Sequence, residues 1–200
     1  MSLYDVIAAG QNGQCFALLA RRYMISEHQV AGVVRRVMDL VLPALDAWVT
    51  APGGLVEFLE TMSCGGYRRV LKVPGALNNH VEIDRGLALL RRLRQAREID
   101  AQSLQEIAEA TGVTQRILEQ MLPVVCLLMM AALHVRSEKQ MRDILGGRLG
   151  PHLTQSPDPY ADLAELVTWE AKGHRAGTLA GMIASLFGRR PEMAKGAVPA

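Results

Sequence analysis

Apolar residues recur at helical spacing through most of this chain, and one stretch organises the rest. Residues 102–133, QSLQEIAEATGVTQRILEQMLPVVCLLMMAAL, read as a short amphipathic helix, a glycine turn and a long apolar helix. A fainter copy lies at 14–45, QCFALLARRYMISEHQVAGVVRRVMDLVLPAL, at a constant offset of 88. The offset sets Ala20 on Ala108, Ile25 on Val113, Ser26 on Thr114 and Leu45 on Leu133. The expected fold is therefore all-α. It is a compact multi-helix domain with two related helix-turn-long-helix units and a C-terminal helical appendage.

In chain order, Leu3, Val6 and Ile7 predict a short helix closed by a turn at Gly10–Gly13. Ser26 with Gln29 reads as a capping box for a helix whose apolar stripe is Val30, Val33, Val34, Val37, Val41 and Ala44. Pro43 is expected to kink or end that helix in its last turn. A further helix is predicted over Leu55–Met62. The segment from Tyr67 to Asn79 reads equally as short helix or loop, and another helix runs from Asp84 through Arg97. Capping boxes are read at Ser103–Glu106 and Ser137–Gln140, a C-terminal cap at Gly112 and an N-cap at Thr114. Asp158–Pro159 can open one more helix, and Leu179–Phe187 forms a last segment. The domain expectation is a helical domain at 1–149, a linker at 150–159, a helical segment at 160–188 and a disordered tail at 189–200.

Composition supports helices. Half the residues are apolar yet only 4% are aromatic, so the core is Leu, Val, Ile, Ala and ten Met. A formal charge of +2 exerts no whole-molecule pull toward nucleic acid or anionic lipid. Three well-spaced cysteines, Cys15, Cys64 and Cys126, read as free thiols in a reducing cytoplasm. The longest apolar run, Met121–Leu133, falls short of the roughly 20 residues a membrane span needs, so no transmembrane segment is expected.

Three stretches carry the family resemblance: LYDVIAAGQNGQ at 3–14, LLARRYMISEHQVAGVVRRVMDLVLPAL at 18–45 and EIAEATGVTQRILEQMLPVVCLLMMAAL at 106–133. Together they resemble the YidB-like bacterial family of unknown function over residues 3–136. The resemblance implies an all-helical bacterial domain and carries no catalytic residues with it. The segment from Gly173 lacks the acidic residues such proteins often carry there.

Chemistry offers three readings. The favoured one is a non-enzymatic interaction or assembly domain, with no cofactor and with a protein partner or self-association; Met129, Met130, Ala131 and Ala132 suit either an interior, the commoner case, or a partner groove. The second is a helix-turn-helix over 104–122 that shows Gln115, Arg116, Glu119 and Gln120 to DNA, helped by the Arg91, Arg92, Arg94 and Arg97 cluster. One cation and one anion on that face are poor material for meeting phosphates. The third is a metal-dependent enzyme using His80, Glu82 and Asp84, which would share a face if that segment were extended. His28, His134, His152 and His174 read as surface or cap residues.

Overall fold

The computed structural model describes residues 1–73, 75–150, 154–169 and 182–183. Among them are nine α-helices and no strand. The helices are α1 Leu3–Ala9, α2 Cys15–Tyr23, α3 Glu27–Thr50, α4 Gly54–Cys64, α5 Arg68–Lys72, α6 His80–Ala96, α7 Ala101–Thr111, α8 Gln115–Leu149 and α9 Pro159–Trp169. Single 3-10 turns at Gln11–Gly13 and Ala76–Asn78 join α1 to α2 and α5 to α6.

The centre is α8. Every residue from Met121 to Leu133 is buried, because α1, α3, α5, α6, α7 and α9 all pack against this helix. A helix apolar on all sides is stable in water only when it is covered on all sides. By length and composition, 115–148 is also apolar enough to cross a membrane, with 78% of its most apolar window buried inside the fold. The length limit read from Met121–Leu133 alone does not hold, because the helix continues without a break through His134.

The two units match in backbone as well as in pattern. Met24 (φ 53°) and Gly112 (φ 64°) both end their short helix in the left-handed conformation. In each case the next residue's N–H, Ile25 or Val113, donates 3.1 Å to the carbonyl of Ala20 or Ala108. Ser26 and Thr114 then cap the long helices. The units also touch each other: the Gln29 side-chain amide donates 2.7 Å to the Gly112 carbonyl, and the Tyr23 hydroxyl donates 3.1 Å to that of Gln120.

Close approach of α6 to α8 depends on Gly86. A Cβ there would lie 2.3 Å from the Pro123 carbonyl oxygen, so a glycine is what lets the two backbones meet.

Several expected boundaries move. α3 continues past Pro43 to Thr50, since a proline inside a well-packed helix removes one hydrogen bond without ending it. α6 begins at His80, capped by Asn79, whose side chain accepts from the Val81 N–H at 3.0 Å. α7 is capped by Asp100, which makes Ser103 its third residue and not its cap. Ser137 starts no helix. It lies within α8 and donates 2.6 Å back to the Leu133 carbonyl.

α9 is docked on α4 and α8. Asp158 caps it, accepting from the Tyr160 and Ala161 N–H groups, and the described part of 150–159 is fastened to α8 where Arg142 donates to the carbonyls of Thr154 and Ser156. Pro74, His152, His174, the tail from Arg189 and most of Leu179–Phe187 lie outside the described residues; of the last segment, Ile183 is buried.

Candidate functional site

The residues singled out from sequence are scattered. On α6, a helix that turns about 100° per residue, His80 and Asp84 share a face while Glu82 points away from both. His80 and Asp84 are exposed; Glu82 is 2% exposed and bound to Arg85 at 3.1 Å. Among the described residues no three His, Cys, Asp or Glu side chains are grouped to hold a metal ion. The extended geometry that the metal reading requires is absent because Asn79 starts the helix earlier.

A helix, a turn and a helix do follow one another at α7, Gly112 and α8, with Val113, Leu118 and Met121 inward and Gln115, Arg116, Glu119 and Gln120 exposed. The charge of that surface does not suit DNA. Gln115 is bound to Glu119 at 3.0 Å, and the exposed residues of α7 include Glu106 and Glu109. The arginine cluster divides in the same way. Arg91, Arg94 and Arg97 are exposed, while Arg92 grips Glu57 through two bonds of 2.7 and 2.6 Å and stacks 5.2 Å over the Trp48 ring.

Met129, Met130, Ala131 and Ala132 are each 0% exposed, so of the two alternatives for this end of the apolar helix the interior one holds. The thiols separate likewise. Cys15 and Cys126 are buried and their pKa is pushed up to about 12 by desolvation; Cys64, at the end of α4, is exposed.

What gathers chemistry is the surface of α4. On one side, α4 and α9 form a groove of about 470 Å³, lined by Ser63, Ala161, Ala164 and Thr168 with the exposed Glu60, Glu165 and Trp169. On the other side a cavity of about 340 Å³ lies between α4 and α6, walled by Trp48, Tyr67, Ala88 and Leu89. Trp48 donates 3.1 Å to Glu57, and hydrogen bonding from Arg92 holds the Glu57 carboxyl below the usual carboxylate range. Arg85 donates through one nitrogen, Nη1, to the Gly65 carbonyl (2.9 Å) and to both Glu82 oxygens. Cys64 belongs to both concavities.

Behind α4 is a polar cluster that sequence reasoning missed. The His134 ring packs 4.7 Å from Tyr160 and 6.3 Å from Tyr67. The Tyr160 hydroxyl donates 2.8 Å to the His134 carbonyl and lies 2.9 Å from the Ser137 hydroxyl. Burial lowers the His134 pKa, and its Nδ1 is buried without a partner. A Ser137 inside a helix that seemed to begin there was the one available sign.

No family model, curated protein or solved structure matches this chain.

Proposed function

We propose that this chain is a non-enzymatic helical protein-interaction domain whose partner docks in the groove between α4 and α9. The groove itself is the observation that carries the reading. Small side chains in its lining admit another helix closely, and the exposed indole offers an anchor of the kind that dominates interfaces. Two exposed glutamates in the lining favour a partner with basic residues flanking an apolar stripe. Cytoplasmic location and kinship with YidB-like proteins belong to the same proposal.

Light-scattering chromatography of the protein alone tests the self-association form of this reading. Titration with a synthetic helical peptide of leucine and lysine, read by Trp169 fluorescence in a Trp48→Phe background, tests the groove. Saturable binding that weakens roughly tenfold in the Glu60→Lys, Glu165→Lys double variant is expected. Binding unchanged by the charge reversal would refute the groove as the site.

The helix-turn-helix reading comes second on the strength of the α7–Gly112–α8 geometry. A salt-sensitive complex with mixed duplex DNA, lost on changing Arg116 or the Arg91, Arg94 and Arg97 set to Ala, would put it first.

A further inference from the structure

We infer that the cavity between α4 and α6 binds a small aromatic acid carrying a single negative charge, with its anionic group on Arg85 and its ring among Trp48, Tyr67 and Leu89.

The volume, about 340 Å³, lies in the range of small-molecule sites, and the walls are mostly apolar with a few fixed polar groups. Arg85 is built to receive an anion. Its Nη1 is anchored on the Gly65 carbonyl and on Glu82, a carboxylate whose side chain is only 3% exposed. Among the described residues nothing accepts from its Nε and Nη2, the pair of parallel donors that matches a carboxylate or sulfonate. Anchoring one edge of the guanidinium fixes the direction of the other, which lowers the entropy lost on binding.

Charge sets the limit at one. Arg85 and Arg92 lie seven residues apart on α6, which places them on one face about 10 Å apart, with Ala88 and Leu89 between them. Each already faces a carboxylate, Glu82 or Glu57, but of these only Glu57 lines the cavity, so the lining carries one net positive charge. A monoanion meets the unused edge of Arg85 with its apolar body clear of Glu57; a second negative charge would sit near that carboxylate without a partner.

The probe is 8-anilinonaphthalene-1-sulfonate, an aromatic monoanion, titrated into the full-length protein by its own fluorescence. Cys64 provides a second reporter because it lines the cavity and is the exposed one of the three thiols; since it lines the groove as well, its protection reports the cavity only when it is lost in Ala88→Leu. The proposal expects one saturable equivalent of probe and a roughly tenfold slower reaction of Cys64 with neutral iodoacetamide at saturation. Two variants keep the fold and change the site. Ala88→Leu narrows the cavity, and Arg85→Lys keeps the partner of Glu82 but removes the fork; each should weaken binding roughly tenfold, with a melting curve confirming the fold. The uncharged N-phenyl-1-naphthylamine should bind weaker by a similar factor. Probe binding that is non-saturable, leaves Cys64 unprotected, or is as tight in Ala88→Leu as in the parent would overturn the proposal. The outcome is separate from that of the peptide titration, because Glu60 and Glu165 line the groove and not the cavity.

Discussion

Replacing Gly86 by Ala sets two physical effects against each other. Ala is favoured over Gly inside a helix by about 1 kcal/mol, so a reading of α6 alone predicts a more stable protein. The packing predicts the reverse. The added Cβ would stand 2.3 Å from the carbonyl oxygen of Pro123, 2.8 Å from its carbonyl carbon and 3.3 Å from its Cβ. Those atoms are backbone and ring, so they have no rotamer by which to retreat. Restoring an ordinary contact of 3.4 Å requires α6 to withdraw by about 1 Å, and a gap of that size forfeits a quarter to a half of the dispersion energy along the seam. Leu89, Leu90 and Leu93, all buried on α6, share that loss. Overpacking of this kind costs about 1–3 kcal/mol, occasionally more. After the helix-propensity gain of about 1 kcal/mol, the expected net loss is about 1 kcal/mol, a fall in Tm of roughly 2–4 °C for a chain of this size. Gly147 in α8 is the internal control: among the described residues nothing lies within 4 Å of its would-be Cβ, so Gly147→Ala should gain about 0.5–1 kcal/mol. Urea unfolding of both variants, with m values compared, measures the difference. A Gly86→Ala protein at least as stable as the parent would refute the account of the α6–α8 crossing.

Three further outcomes can be checked by the same unfolding assay. Tyr160→Phe removes the hydroxyl that serves the His134 carbonyl and Ser137, and should cost about 1–2 kcal/mol. The lowered His134 pKa means that the folded chain holds the neutral imidazole where the unfolded chain binds a proton, so stability is constant above about pH 6.5 and declines as pH falls below it; His134→Phe should flatten that decline. Glu138 and Asp158, which also face the ring, pull the other way, so a rise in stability between pH 7 and 5.5 would show that they outweigh burial. Met24→Gly should gain about 0.5–1 kcal/mol, because Met24 is 91% exposed and strained at φ 53°, where the matching position of the second unit carries Gly112.

Helix periods were the legible part. The Val30–Ala44 stripe, the Gly112 cap and the Ser26 box depend on residues within a turn or two of one another, and all three are present. Repeat pairing was legible for a related reason: an apolar residue at the same place in two units must find the same kind of cover. Boundaries were harder wherever two caps competed. Asp100 and Ser103 can both accept from a helix N-terminus, and the carboxylate wins with a bond of 2.5 Å to the Ser103 N–H. Ser137 satisfied a capping pattern whose neighbours simply went on coiling, because Met141 and Leu145 are also buried and hold the helix straight through. The cavities were not legible at all. Trp48, Tyr67 and Arg85 sit on three separate segments, and only the packing of α3 against α4 and α6 brings them to one wall.

The repeat also explains where a binding surface should be sought. Two helix-turn-long-helix units of this kind offer each other broad apolar faces, and left to themselves would expose whatever they failed to cover. Here the cover is intramolecular: α1, α4, α5, α6 and α9 close over α3 and α8, and the Met-rich run ends with no exposed surface to offer. On the proposed interaction reading, the outer faces of the covering helices are where a partner would dock. Of these α4 is the most informative, since it joins the first unit to α9 while bordering both concavities, with Cys64 at their junction. A ligand in either concavity would meet a helix whose other face is fixed by Phe58, Leu59 and Met62 in the core. That rigidity favours a preformed site over one that forms on binding.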